Sequence, residues 1–118
     1  MLYFKKQTGN LGEDLAAKYL KRHGFKILAR NFTTKIGEID ILACRKDAII
    51  IVEVKAKSGA GFGEGFEMVN YFKQKKLLSL VKLIQTKYPE RTIRIDVISV
   101  DTSQDPPEIK HFENAVEE

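Results

Sequence analysis

Apolar runs, separated by polar turns and interrupted by a few charges, predict the order of helices and strands along this chain. Leu, Ala and Tyr recur at helical spacing between Asn10, a good N-cap, and Gly24, a good C-terminal stop. Runs rich in Ile and Val predict strands. The predicted elements are a helix over about 11–23, strands over 25–32, 37–44 and 48–56, a helix over about 66–87, a strand over 92–100 and a short final strand over 109–115. This order predicts an α/β domain, with helices packed on a mixed sheet.

Three charged residues lie within the two strongest strand predictions, 37–44 and 48–56. Both faces of these segments are largely apolar, which is typical of central strands covered on two sides. Asp40 lies in the first strand, and Glu53 and Lys55 lie in the second on one face. These charges therefore need a reason to be kept inside the protein.

The pairing of the two strands predicts how these charges meet. If Cys44 pairs with Ile49 across the turn, Asp40 lies directly opposite Glu53. Two carboxylates at that spacing repel each other, and Lys55 points to the same side. A divalent cation held by the two acids would relieve the repulsion, and hard oxygen ligands favour Mg²⁺ or Mn²⁺ over zinc. The alternative is a buried ion pair between Lys55 and one acid, which only fixes the register.

Glu13 adds a third acid on the first predicted helix. At about 100° per residue it lies within the apolar side of the helix, so we expect it to face the sheet. The apolar side also contains Ala16, Ala17, Tyr19 and Leu20. The alternative is a capping box, in which Asn10 caps the helix and Glu13 bonds back to it.

Composition and charge narrow the class of protein. A chain of 118 residues suffices for one domain, so we expect a single domain over 1–118. No apolar run approaches the ~20 residues of a membrane span, and the N-terminus lacks a secretory pattern. The single cysteine, Cys44, excludes an internal disulfide. We therefore expect a cytoplasmic protein without membrane contact, and the net charge of +4 favours a polyanionic partner.

Four sequence blocks in order resemble a known family. The blocks are GEDLAAKYL, GEIDILA, VEVKAKSGAGFG and RIDVISVD, and the similarity extends through IKHFENAVE. They look like the YraN-like family of largely uncharacterised bacterial proteins, which is related to archaeal Holliday junction resolvases in the PD-(D/E)xK nuclease superfamily. The resemblance implies a restriction-endonuclease-like fold with helices flanking a mixed central sheet. The catalytic residues that it implies are Asp40, Glu53, Lys55 and Glu13, and the three acids among them would bind the metal.

Basic residues outside this motif are candidate contacts to DNA phosphates. Lysines make one side of the second predicted helix basic, and a solvated helix face is the alternative explanation. The candidate nucleic-acid-binding residues are Lys73, Gln74, Lys75, Lys76 and Lys57. The glycine-rich segment 58–65 predicts a mobile loop, and Phe62 within it could stack on an unpaired base.

Together these features predict a metal-dependent DNA endonuclease that hydrolyses phosphodiester bonds, with Mg²⁺ or Mn²⁺ as cofactor. We expect branched or damaged DNA, such as a recombination or repair intermediate, as the substrate. A four-way junction would require two symmetric active sites and hence a homodimer. Two alternatives stay open: a catalytically silent nucleic-acid-binding module of the same fold, and a structural protein whose ion cluster only holds the sheet.

Overall fold

Among the residues that the structure describes, five strands pair in chain order, β1-β2-β3-β4-β5, into one sheet, and two helices pack on it. The computed structural model describes residues 2–57 and 71–116, with side chains described for 11–57 and 74–116. Its elements are α1 (Leu2–Arg22), β1 (Lys26–Thr33), β2 (Glu38–Arg45), β3 (Ala48–Lys57), α2 (Tyr71–Lys87), β4 (Thr92–Asp101) and β5 (Glu108–Phe112). The predicted α/β class with a mixed sheet is confirmed, including the short final strand.

The sheet is mixed because one of its connections crosses over. The pairs β1–β2, β2–β3 and β4–β5 are antiparallel, whereas β3 and β4 are parallel and are joined through α2. Cys44 pairs with Ile49 and Ile41 pairs with Val52, so the predicted hairpin register is confirmed for these residues. The ladder ends at Ile41 and Val52, and the predicted pairing of Asp40 with Glu53 is not part of it. The strands β2, β3 and β4 are thereby central, as their apolar faces predict.

The core has two layers, one on each face of the sheet. On the α1 side, Ala16, Ala17 and Leu20 pack on Ile41, Ile50, Val52, Ile98 and Val100. On the α2 side, Leu77, Leu80 and Ile84 pack on Ile49, Ile51, Ile95 and Val97. Asp14, Lys18 and Lys21 are exposed on the outer side of α1, so the predicted orientation of this helix is confirmed.

The first helix begins earlier than its sequence predicts. It starts at Leu2, so Asn10 lies inside α1 and cannot be its N-cap. The capping-box interpretation of Glu13 is therefore wrong, since those backbone N–H groups are within a helix rather than at its end. The predicted C-terminal signal is confirmed, because Gly24 follows the helix with a φ of +86°, a left-handed conformation that glycine adopts without strain.

Two predictions fall outside the described residues. These are the loop over 58–65, with Phe62, and the start of the second helix near residue 66. Within the part of the chain that the structure describes, neither helix has the length and apolar character needed to cross a membrane.

Candidate active site

Asp40 lies where β2 and β3 stop pairing. The last paired residues of this ladder are Ile41 and Val52. One position further along β2, Oδ2 of Asp40 accepts a hydrogen bond of 2.9 Å from the backbone N–H of Val54. The carboxylate thus takes the place of a strand–strand bond, and it points toward β3 at the opening between the two strands.

The alternation of side chains between the two faces of the sheet is also broken in β2 at Asp40. Ile41 contacts the α1-side core, whereas Ile39 belongs to the α2-side core. Regular alternation would place both residues on one face, so β2 departs from regular alternation between them. The neighbouring strand is distorted at the same level: Asn31, between the β1 partners of Ile41 and Ile39, has a left-handed φ of 50°. This interrupts the pleat of both strands and leaves Asp40 outside either apolar layer.

Glu53 and Lys55 form a loose ion pair on β3. Their closest charged atoms, Lys55 Nζ and Glu53 Oε1, lie 3.8 Å apart. Glu53 is buried, and the Lys55 side chain is 20% exposed. The prediction that Lys55 lies beside an acid is confirmed. The pair is longer than a hydrogen bond, so it does not lock either side chain.

Glu13 is a buried acid without a full set of partners. Gly12 allows α1 to approach β3 closely, since a Cβ there would lie 2.7 Å from the Ala56 Cβ. Glu13 is 9% exposed, and its Oε1 accepts no hydrogen bond. Burial raises the pKa of the Glu13 carboxyl above its ordinary value, and the charge of Arg30 offsets part of this effect. The expectation that Glu13 faces the sheet is confirmed.

Arg30 is a site residue that the sequence does not reveal. Its Nη2 lies 3.6 Å from Glu13 Oε1 and 2.8 Å from Asp14 Oδ1. The short contact is with the exposed acid, and the longer one to Glu13, together with Asn31, offsets part of the effect of burial on the pKa of Glu13. The contact arises because α1 packs over β1, and no local pattern around Arg30 predicts it.

The elements that carry the predicted residues come together around Val54, which lies between Glu53 and Lys55. Asp40 accepts the Val54 N–H, and a Cβ on Gly12 would lie 3.9 Å from the Val54 Cγ1. The helix residue that precedes Glu13, the β2 acid and the β3 acid–lysine pair are therefore neighbours at one end of β3.

A complete three-acid metal site is not assembled in this conformation. Within residues 11–57 and 74–116, no group of three or more His, Cys, Asp or Glu side chains is arranged to hold a metal ion. Glu13 approaches from the α1 side, whereas strand alternation directs Glu53 toward the α2 side. The donor chemistry nevertheless suits Mg²⁺ or Mn²⁺, and a cation would satisfy the unpartnered Oε1 of Glu13. The metal-binding roles stay predictions.

A second buried acid, Asp96, has hydrogen-bond partners on both of its carboxylate oxygens, whereas Oε1 of Glu13 has none. Arg94 donates two hydrogen bonds of 2.8 and 2.9 Å, His111 Nε2 lies 2.7 Å from Oδ2, and the Asn114 N–H donates at 3.0 Å. Burial alone would raise the pKa of Asp96, but these hydrogen bonds outweigh it and lower that pKa. Arg94 and His111 therefore both pair with this one buried acid. Pairing of β4 with β5 creates the contact with His111.

The candidate DNA-binding residues lie at two places. Gln74, Lys75 and Lys76 are exposed on the first turns of α2, and Lys57 is half-buried at the end of β3. The side chain of Lys73 lies outside the described residues. Exposure fits both a phosphate-binding surface and a solvated helix face, so DNA contact by these residues stays a prediction.

Comparison with known proteins identifies relatives over most of the chain. A family model described as "Uncharacterised protein family UPF0102" matches residues 12–100. A UPF0102 protein of Alkaliphilus oremlandii is 42% identical over 114 residues, which cover 93% of this chain and 97% of the relative. UPF0102 proteins of Syntrophotalea carbinolica and Geobacter metallireducens are each 40% identical, over 98% and 99% of this chain and 95% and 98% of theirs. The resemblance that the four blocks indicate is thereby confirmed.

One solved structure is similar over part of its length. It is titled "Structure of EndoMS-dsDNA2 complex", with a TM-score of 0.48 and 21% sequence identity. The similarity covers 75% of this chain and 34% of that chain, so this protein spans about a third of its neighbour.

Proposed function

We propose that this chain, which belongs to the uncharacterised protein family UPF0102, is a metal-dependent DNA endonuclease that hydrolyses phosphodiester bonds. One observation carries the proposal: Asp40 accepts a hydrogen bond from Val54, the central residue of the Glu53–Val54–Lys55 motif, and Gly12, next to Glu13, packs closely on the same strand. The elements that carry the residues implied by the PD-(D/E)xK resemblance therefore meet at one end of β3. Likeness of fold alone would not argue for activity, whereas an intact set of site residues does.

In this proposal Asp40, Glu53 and Glu13 hold the Mg²⁺ or Mn²⁺ ion. When bound, such an ion polarises a phosphoryl oxygen and lowers the pKa of a bound water. Glu13 is suited to recruitment by the cation, because it is buried with an acceptor oxygen that no donor satisfies. Arg30 would keep the acid partly neutralised before the cation arrives.

Lys55 has the role of orienting the attacking water or stabilising the charge on the phosphorane. Its ammonium is 3.8 Å from Glu53, so it would lie beside the cation that this acid holds and near a phosphate bound there. We further propose a branched or damaged DNA substrate in the cytoplasm, with a homodimer supplying two symmetric sites if that substrate is a four-way junction.

The second candidate is a catalytically silent DNA-binding module of the same fold. It is favoured by the separation of Glu13 and Glu53 onto two sides of the sheet, which leaves no three-acid group among the described residues. Cleavage distinguishes the two candidates.

The test is a cleavage screen on linear and branched DNA with Mg²⁺ and with Mn²⁺. Asp40→Asn should abolish cleavage, and Lys55→Gln should slow it roughly a hundredfold to a thousandfold, as loss of a charge-stabilising donor does. Asp47→Asn is the matched control, because Asp47 is an exposed acid at the other end of the same hairpin. Cleavage that survives in Asp40→Asn, or no cleavage by wild type with either metal, would overturn the nuclease proposal.

A further inference from the structure

An open groove lies between the β1–β2 turn and α2, next to the candidate active site. Its volume is about 280 Å³, and we call it the turn slot. The residues that line it are Phe32, Thr33, Thr34, Lys35, Leu83 and Lys87. An aromatic ring and an aliphatic side chain form its apolar walls, and hydroxyl and ammonium groups stand at its rim.

The turn that forms one wall is held rigid by its own hydrogen bonds. The Thr34 hydroxyl oxygen accepts from the N–H groups of Ile36 and Gly37, at 3.1 and 3.0 Å. The hydroxyl donates to the Gly37 carbonyl at 2.6 Å, and the Thr34 N–H donates to the same carbonyl at 2.9 Å. The slot is therefore shaped before any ligand enters, which lowers the entropy cost of binding.

The surroundings of the slot are strongly basic. The helix α2 contains five lysines and no carboxylate, and its residues 76, 83 and 87 share one side at helical spacing. Lys76 lies across Gly37, where a Cβ would come within 2.8 Å of its Nζ. Lys87 Nζ lies over the Phe32 ring, 5.5 Å from its centroid. The acid that follows the turn most closely in sequence is Glu38, which is exposed and does not line the slot.

The slot begins beside the catalytic acid. Phe32 pairs with Ile39, the residue that precedes Asp40, and both belong to the α2-side core. Strand alternation directs Glu53 and Lys55 to that same side. The turn slot and the side chains of Glu53 and Lys55 therefore open toward the same side of the sheet.

We propose that the turn slot binds one unpaired nucleobase of the DNA substrate, with Lys35 and Lys87 on the flanking phosphates. This inference rests on the proposed function and deepens it, since it names DNA with an unpaired base, rather than continuous duplex, as the substrate class. A nucleotide fits both the apolar walls and the basic rim of the slot. Its flat base stacks on an aromatic face such as Phe32, and its phosphates meet a rim of ammonium groups. The exposed Lys87 leaves the ring face for a phosphate when the base enters.

The test measures binding without cleavage, with wild-type protein in chelator and two duplexes that differ by a single unpaired adenine. We expect the duplex with the unpaired base to bind about tenfold more tightly, as stacking of one base on an aromatic side chain provides. Leu83→Phe fills the slot and should remove this preference while leaving affinity for the continuous duplex unchanged.

Substitution of exposed lysines is a second test, and it does not require any side chain in the slot to repack. Replacing Lys35 and Lys87 together by Gln should lower the slope of log affinity against log salt by about 2 for the DNA with the unpaired base. Lys26→Gln, at the far end of β1, is the matched control and should leave that slope unchanged.

Equal affinity for the two duplexes, or a preference that survives in full in Leu83→Phe, would overturn the inference. A salt slope that Lys26→Gln lowers as much as the double variant would overturn it as well. Failure of the proposed function looks different. A protein that prefers the unpaired base but never cleaves refutes the nuclease and keeps the slot, whereas one that cleaves without this preference does the reverse.

Discussion

Replacement of Glu13 by Gln should stabilise the metal-free protein, which is unusual for a substitution at a buried position. Glu13 carries a buried charge whose Oε1 accepts no hydrogen bond, and Arg30 is 3.6 Å away. An unsatisfied buried polar group costs about 1–3 kcal/mol, and the distant cation offsets part of that. We therefore expect Glu13→Gln to raise the free energy of unfolding by about 1 kcal/mol near neutral pH, because the amide carries no charge.

The pH dependence gives this prediction an internal check. Since the pKa of Glu13 is raised in the folded state above its ordinary value of 4.5, wild-type stability falls as pH rises from there through the folded pKa. The glutamine variant lacks this fall. Its advantage should thus be present near pH 7 and shrink toward zero as pH falls below the ordinary pKa, where the acid becomes protonated in both states.

Urea unfolding followed by circular dichroism, in chelator and in Mn²⁺, measures both effects. Wild type should gain about 2.7 kcal/mol at a hundred times the dissociation constant, and Glu13→Gln should lose most of that gain. Asp14→Asn, which removes the exposed acid on Arg30, is the control and should change stability by less than about 0.5 kcal/mol. A loss of stability in Glu13→Gln in chelator, together with no metal response in wild type, would refute a metal site and leave a structural pair with Arg30.

Two further predictions use the same unfolding assay. Asp96→Asn should destabilise the protein by about 3–5 kcal/mol without any metal dependence, because Arg94 and His111 lose their buried partner. Because the pKa of Asp96 is lowered in the folded state, the charged carboxylate stabilises the protein above the ordinary value of 3.8, and this stabilisation is lost as pH falls through the folded pKa. Asp96→Asn should therefore lose that part of the acid unfolding transition of the wild type. An unchanged acid transition would contradict this. Gly12→Ala should cost about 1–3 kcal/mol by overpacking against Ala56, despite alanine's helix propensity. Ala56→Gly in the same chain should restore part of the loss, and additive effects would argue against the contact.

The sequence predicts the strands and their register well, because the physics behind them is local. Ile and Val dominate the central strands, and a short polar turn fixes the pairing of Cys44 with Ile49. The start of α1 is not predictable in this way. Asn10 is a strong N-cap signal in a local window, yet the helix runs through it to Leu2, since cap preference is a weak term that context overrides.

The finer geometry of the site depends on contacts between distant segments. The positive φ of Asn31 and the change of face at Asp40 arise together on two strands, so a pattern that assumes regular alternation places Ile39 on the wrong side. The contact of His111 with Asp96 joins residues on neighbouring strands, and no motif marks it. Sequence spacing thus selects the candidate acids but does not show which of them the fold supplies with hydrogen-bond donors.

Because the Val54 N–H donates its hydrogen bond to Asp40, this one backbone amide reports on the state of the Asp40 carboxylate. This proton is held by a side chain and not by the strand ladder, so its hydrogen exchange follows the motion of the carboxylate instead of the opening of the sheet. An amide signal from Val54 would also change its chemical shift when a cation draws electron density from Asp40. The chain thereby contains a spectroscopic label at its proposed catalytic centre, without any added probe.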